Sequence, residues 1–322
     1  MNAGIILAPM EGLVDAPMRD ILTRIGGVDW CVSEFIRVTE GLLNQATIER
    51  IVPECRNGWK TRAGVSLRPQ LLGSDAYWLG RNAALLAEMG APAVDLNFGC
   101  PAKTVNRHRG GASLLREPDL LGEIVAAVRA ATPAHVPVTA KMRLGYSDTS
   151  LTLACARALA EAGAAEITVH ARTKVEGYKP PAHWDWLARI REAVDVPVIA
   201  NGEVWSVADY HRIREISGCD HVMIGRGLVE RPDLAMQIRQ QLSGAAARPM
   251  SWETLQPWLA DFYAQTRQRV VDRHAPGRMK QWLTLLSRSY PEARELFDAL
   301  RRETDADAVG VALRRTESRA VA

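Results

Sequence analysis

Short apolar runs rich in β-branched residues recur along the first three quarters of the chain. Each is followed by a stretch whose apolar positions fall three and four apart. The runs predict strands at Ile5–Ala8, Trp30–Ser33, Val65–Leu67, Ala93–Leu96, Val138–Lys141, Ile167–His170, Val196–Ala200 and His221–Ile224. The helical spacing predicts helices over Ala76–Met89, Pro118–Ala130, Leu151–Ala162 and Ser206–Ile216. Eight strand–helix units in about 240 residues match an α/β (β/α)8 TIM barrel, whose usual size is ~250 residues. The alternative is an open doubly wound sheet, which calls for a GxGxxG turn after its first strand. The turn here reads Ala8-Pro9-Met10-Glu11-Gly12.

After Gln241 the strand pattern stops. Ser243-Gly244-Ala245-Ala246-Ala247-Arg248-Pro249 is a small-residue linker, and Ser251 is a plausible N-cap for a helix running to about Val271. Pro276-Gly277 is expected to break that helix, with further helices at Arg278–Ser289, Ala293–Arg301 and Asp307–Arg315. The expected organisation is a barrel over residues 1–247 and a C-terminal helical domain over 248–322.

With 47% apolar and 24% charged residues, the 322-residue chain has material for a large core. No run approaches the ~20 apolar residues of a spanning helix. Met1–Ala8 lacks a basic lead, so neither a membrane segment nor a signal peptide is expected. Five scattered cysteines (Cys31, Cys55, Cys100, Cys155, Cys219) show no metal-ligand spacing. The expectation is therefore no metal and a reducing, cytoplasmic setting. Of 40 basic and 37 acidic side chains, 13 and 10 fall at or beyond Arg248, which leaves 27 of each before it. The net charge of +3 thus sits in the last quarter, too small an excess to indicate a nucleic acid on its own.

In a barrel of this kind the reacting groups gather where the strands end. That filter selects Pro9-Met10-Glu11, Gln70, Asn97-Phe98-Gly99-Cys100-Pro101, Lys141-Met142-Arg143, His170, Asn201-Gly202-Glu203 and Gly225-Arg226-Gly227. The last two groups suit a phosphate, because glycine lets peptide N–H groups approach closely and Arg226 adds charge. Their plainer reading is a pair of tight turns. Lys141 is either a solvated strand-end charge or a cation beside a cofactor. Cys31, Cys155 and Cys219 read as core filler and Cys55 as merely exposed. Cys100 lies in a Gly-Cys-Pro loop ahead of Gly110-Gly111. A thiol near its ordinary pKa of ~8.5 keeps its proton at neutral pH and can act as a proton donor.

Taken together, Ala8-Pro9-Met10, Asn97-x-Gly-Cys-Pro-Ala-Lys-Thr-Val-Asn106, Lys141-x-Arg-Leu-Gly145, Val169-His-Ala-Arg-Thr173, Asn201-Gly-Glu203 and Gly225-Arg-Gly227 resemble the tRNA-dihydrouridine synthase family. The match runs in order from residue 5 to about 230. Ser33-Glu-Phe-Ile-Arg-Val38 and Arg278-Met-Lys-Gln-Trp-Leu283 look like its bacterial C-type members, which modify uridine 16 of the D-loop. The resemblance implies an FMN-containing barrel with a helical tRNA-binding domain and NADPH as reductant. It implies that Cys100 protonates uracil C5 and that Pro9, Met10, Glu11, Gln70, Lys141 and His170 surround the flavin ring. It places the flavin phosphate on Asn201, Gly202, Glu203, Gly225 and Arg226. It also places tRNA against Arg37, Asn97, Lys103, Arg143, Arg278 and Lys280, with no obligate protein partner. The rivals are another flavin barrel acting on a free small molecule, a non-catalytic RNA-binding barrel, and an aldolase-type barrel with Lys141 as Schiff base.

Overall fold

A computed structural model describes residues 3–320, with side chains to residue 314. Eight parallel strands, β1 (Ile5–Leu7), β2 (Trp30–Arg37), β3 (Ser66–Leu72), β4 (Val94–Phe98), β5 (Val138–Arg143), β6 (Ile167–His170), β7 (Val198–Asn201) and β8 (His221–Ile224), close in sequence order into one barrel. Closure is direct: β1 pairs with β8 through Ile5↔Val222 and Leu7↔Ile224. The open-sheet alternative is thereby set aside.

The period of two along each strand decides what fills the barrel. Ile6, Ala8, Val32, Ile199 and Met223 form an apolar cluster with Trp30 packed against it. Polar residues occupy the other inner positions in i, i+2 sets: Asp95 and Asn97, Thr139 with Lys141 and Arg143, Thr168 and His170. Register sets these sets side by side, with Gln70 opposite Asp95, Asp95 opposite Thr139, and Lys141 opposite both Asn97 and Thr168.

Strands β2 and β3 run further than their apolar patterns suggest, to Arg37 and Leu72. Their added residues, with Glu34, Arg37 and Gln70 interrupting the apolar pattern, are held by ladder pairing with neighbours, and a register shift falls between Val32 and Phe35. The anticipated helices occur as Ala76–Glu88, Pro118–Ala131, Thr152–Glu161 and Val207–Ser217. Asp75 and Ser206 cap the first and last of these, their side chains accepting from the N–H groups of Trp78 and Asp209.

The chain forms two compact units. One holds the chain up to Ala16 together with Val28–Gly225; the other holds Pro17–Gly27 and the chain from Arg226 onward. The expected boundary at 247/248 falls inside the second unit. That unit contains helices Arg226–Glu230, Leu234–Leu242, Trp252–Arg269, Ala275–Leu286, Pro291–Leu300 and Ala306–Ala320. The early segment joins them because Gly27 approaches the backbone of Ala235 so closely that a Cβ would lie 2.5 Å from its carbonyl carbon. Gln265 Nε2 donates to Asp20 at 2.9 Å, and Arg24 pairs with Asp261 and stacks over Trp258. Sequence order cannot show such a long-range docking.

Within this unit Phe262 and Trp282 meet edge to face at 4.8 Å, and Trp282 Nε1 donates to Val229 O at 3.0 Å. Ser251 caps the helix Trp252–Arg269 as its sequence indicates. The expected break at Pro276-Gly277 is corrected. The helix already ends at Arg269, and Pro276 lies in the first turn of the next helix, where its missing N–H has no partner to lose.

Candidate active site at the strand ends

Cys100 leaves β4 on a loop that its own chain ties down from both sides. Asn97 Oδ1 accepts from the N–H groups of Gly99 (3.0 Å) and Cys100 (2.9 Å). The Cys100 carbonyl accepts from Asn106 Nδ2 at 2.9 Å and from the Ala112 N–H at 3.1 Å. Gly111, at φ +60°, lies so close that a Cβ would sit 2.9 Å from the Cys100 oxygen. Glycine at this position is therefore a packing requirement of the thiol loop.

The amide of Asn97 is oriented from below. Its Nδ2 donates to Gln70 Oε1 at 2.7 Å, and Gln70 Nε2 donates to Asp95 Oδ2 at 2.6 Å. The other Asp95 oxygen accepts from Thr139 Oγ1 at 2.5 Å. With Gln70 Nε2 and Thr139 Oγ1 both donating to its two oxygens, the Asp95 carboxyl fixes which way Gln70 points. Gln70 fixes Asn97, and Asn97 fixes the loop. Burial pushes the Asp95 carboxyl up, against the opposing pull of the Gln70 and Thr139 hydrogen bonds and of Arg68 and Lys141. Thr139, an inner residue of β5, is thus part of this chain as well. Asp95 escaped notice, although its place two residues before Asn97 in an apolar strand was the available signal.

The thiol itself is half-buried. Burial pushes its pKa up and Glu11 adds to this, opposed by the Ala102 N–H, Arg143 and Arg37. The proton therefore stays on sulfur through neutral pH. By contrast Cys31, Cys155 and Cys219 are buried, as their settings suggest, and Cys55 is partly so.

Lys141 rises from β5 and donates from Nζ to Asn201 Oδ1 at 3.0 Å, while Asn201 Nδ2 donates to Met223 O at 2.8 Å. Beyond Asn201 the backbone turns through two left-handed residues, Gly202 at φ +127° and Glu203 at φ +60°. For a glutamate that conformation costs about 1 kcal/mol or more. Its carboxylate pairs with the buried guanidinium of Arg172, which also donates to Lys179 O at 2.7 Å. Trp184 Nε1 donates to Gly202 O at 2.9 Å. Among the described hydrogen bonds none uses the N–H of Gly202, Glu203 or Gly225. Free N–H groups at the ends of β7 and β8, with the Lys141 ammonium bonded to Asn201, make an anion cradle. A phosphorylated cofactor fits that donor set. Arg226 follows Gly225 directly and opens the helix Arg226–Glu230 in the second unit.

Lys141 has its pKa lowered to about 8, chiefly by burial and next by Arg143, against the opposite pull of Asp95 and Cys100. The folded chain therefore binds fewer protons here than the unfolded chain between pH 8 and about 10.4. This group adds stability as pH rises through that window, and Lys141→Met should remove the rise. An anion in the cradle favours the ammonium. In a lysine-labelled NMR titration, one midpoint near 8 should move upward when FMN is added; an unmoved midpoint would separate Lys141 from the anion site.

Arg143 is buried beneath the rim. Its Nε donates to Gly99 O (2.9 Å), and its Nη1 donates to Thr173 O (3.1 Å) and Gly177 O (2.9 Å). Burial is the main cause lowering its pKa. Tyr178, half exposed, lies over this guanidinium at 5.2 Å and meets His170 edge-on at 5.9 Å. Pro9 and Met10 follow β1; Met10 Sδ would be 3.2 Å from a Cβ on Gly225, so this turn and the β8 end are in close contact. Glu11 is exposed, and the Gly12 N–H beside it is held by Glu34 Oε1 at 2.6 Å. Arg37 ends β2 and, with His108, lines a cleft of about 470 Å³ walled by Val105 and Gly110 of the thiol loop. Lys103 is exposed on that same loop. In the second unit Lys280 Nζ donates to the carbonyls of Arg301 (3.3 Å) and Glu303 (2.7 Å). Arg278 bonds Gln281 and lies over the Phe262 ring.

A closed parallel barrel whose strand ends carry a tethered thiol, a buried lysine and an anion cradle defines a phosphate-binding (β/α)8 enzyme. Solved structures show the same fold. Histamine dehydrogenase from Rhizobium sp. 4-9 aligns with TM-score 0.57 and 14% identity over 81% of this chain and 48% of its own. The old yellow enzyme homologue from Zymomonas mobilis aligns with TM-score 0.52 and 14% identity over 79% and 91%. The profile described as Dihydrouridine synthase (Dus) matches residues 6–313, and the chain belongs to that family. Proteins named tRNA-dihydrouridine(16) synthase are similar to it along nearly their full length. The Pseudomonas putida protein is 60% identical over 94% of this chain and 93% of its own, and that of Aquipseudomonas alcaligenes 60% over 95% and 97%. The one from Neisseria meningitidis serogroup A is 52% identical over 95% and 92%.

Proposed function

We propose that the protein reduces the C5=C6 bond of uridine 16 in the D-loop of tRNA, with FMN as bound cofactor and NADPH as reductant. The observation that carries the reading is the protonated Cys100 thiol, held by Asn97 on the same rim as the Lys141–Asn201–Gly202–Glu203–Gly225 cradle. Bound FMN would supply the hydride for uracil C6 and be restored by NADPH. Cys100 would give its proton to C5, which completes the two-electron, two-proton saturation. Pro9, Met10, Glu11, Gln70, Lys141 and His170 would surround the flavin ring. The cradle, with Arg226, would hold the phosphate.

A stacked uridine cannot enter a barrel rim, so the base must be splayed out of its loop. Arg37, Lys103 and Arg278 stand exposed or partly so and are the proposed phosphodiester contacts. Arg143 would meet the uracil through the part of its guanidinium that the three carbonyls leave over. Asn97, whose amide is engaged on both sides, would serve the base through its second N–H. Lys280, whose ammonium bonds the Arg301 and Glu303 carbonyls after the helix Pro291–Leu300, would meet the RNA through the donor capacity these leave over. No helix among the described residues is long and apolar enough to cross a membrane, and a tRNA substrate favours the cytoplasm.

The test is the map of dihydrouridine in tRNA from a strain lacking this gene, paired with the purified protein, NADPH and unmodified tRNA. Loss at position 16 alone, restored in vitro, is expected. Dihydrouridine persisting at 16, or NADPH consumption that needs only a free small molecule, would overturn the reading.

A further inference from the structure

We propose that Arg172 and Trp184 are positioning residues for the flavin phosphate: they touch no part of it but set the peptide planes that bind it. This rests on the FMN reading above. Trp184 Nε1 donates to the Gly202 carbonyl at 2.9 Å. In a trans peptide the N–H points opposite to the C=O. The indole bond therefore turns the Glu203 N–H away from Trp184, and none of the described hydrogen bonds occupies it. Glu203 itself has φ +60°, a conformation that side-chain-bearing residues rarely adopt. It is held there from its far end, where the carboxylate pairs with Arg172.

Arg172 is anchored in turn. It is 1% exposed, its Nε donates to Lys179 O at 2.7 Å, and its own carbonyl accepts from the Leu144 N–H at 3.1 Å. The two peptides before it are fixed as well, since the Ala171 N–H donates to Asn201 O at 2.9 Å and the Ala171 carbonyl accepts from the His183 N–H at 2.8 Å. The segment after β6 is thus a rigid back wall for the turn after β7. Lys141, Asn201, Gly202, Glu203 and Gly225 present the anion site, and Arg172 with Trp184 decide how two of its peptides are turned. Among the described contacts their side-chain hydrogen bonds reach only Gly202, Glu203 and Lys179, none of them an expected ring contact. Of the residues expected around the ring, Pro9 and Met10 follow β1, Gln70 lies on β3, and His170 meets Arg172 through backbone alone, its carbonyl accepting from the Arg172 N–H at 2.7 Å.

That separation gives the test. Flavin-free protein is titrated with FMN and with riboflavin, which has the same ring and no phosphate. Trp184→Phe, which removes one donor and keeps the ring, should weaken FMN three- to tenfold and leave riboflavin within about twofold. Arg172→Lys keeps the charge and loses the planar fork; it should weaken FMN by about ten- to a hundredfold, again with riboflavin unchanged. Equal losses for both flavins, or no loss for either in Trp184→Phe, would overturn the positioning role. Equal affinity of the unaltered protein for FMN and riboflavin is a different result, and would overturn the phosphate cradle itself. Thermal unfolding without flavin shows whether each variant is folded, and Trp184→Phe carries the test if Arg172→Lys is not.

Discussion

Cys100→Ala is expected to slow the single-turnover oxidation of reduced flavin by tRNA by about 10²- to 10⁴-fold, the usual worth of a general acid. Flavin binding and flavin reduction by NADPH should stay as they were, because the thiol is tied to a loop after β4 and no described hydrogen bond joins it to the cradle. Tight tRNA binding should also survive. Cys100→Ser should restore little, a hydroxyl being a far weaker acid than a thiol. The pH profile gives a second reading. Burial raises the thiol pKa, so the donor form persists past the ordinary value of ~8.5 and is lost only at higher pH. That alkaline limb should vanish in Cys100→Ala, while any fall near pH 8 that belongs to Lys141 remains. Wild-type turnover by Cys100→Ala would assign the proton to another group, with Lys141 and His170 next in line.

Asn97→Ala should lower the same single-turnover rate by about ten- to a hundredfold, since small misplacements of a reacting group cost that much. The substitution strips the acceptor from the Gly99 and Cys100 N–H groups and leaves Gln70 Oε1 without its donor. A stability loss of about 1–3 kcal/mol should accompany it in chemical denaturation. Asn97→Asp keeps the acceptor for the loop but faces Gln70 Oε1 with a second acceptor, and Asp95 prevents the Gln70 amide from turning over. Its rate should lie between the two. The informative comparison is the preference for FMN over riboflavin, which the phosphate cradle sets and which should stay within about twofold in both variants. An Asn97→Ala enzyme as fast as wild type would show that the loop holds the thiol without this amide.

Much of the site was legible because each element ends where its chemistry begins. Lys141, His170 and Asn201 follow apolar strand residues, and the positions of glycine at 202 and 225 indicated close backbone approach. Asp95 and Thr139 were not legible, since one polar residue inside a strand does not reveal its neighbour across the ladder. Arg172 and Trp184 were missed for a related reason: both act on the cradle from outside it, through one carboxylate and one carbonyl. Lys280 was expected to face RNA, yet its ammonium lies against two carbonyls that only the fold brings within reach.

By itself the sequence determined the barrel, the strand ends and the thiol loop, because period-two and helical patterns and glycine placement are local properties of the chain. It also carried the family resemblance through ordered motifs. Only the tertiary structure decided which polar side chains meet. Register sets Gln70 beside Asp95, and Asp95 beside Thr139. Strand closure brings the Lys141 ammonium to Asn201, and the second unit takes up Pro17–Gly27. Hydrogen bonds between residues 25 to 60 positions apart depend on three-dimensional register, and buried polar groups must find such partners wherever the fold places them.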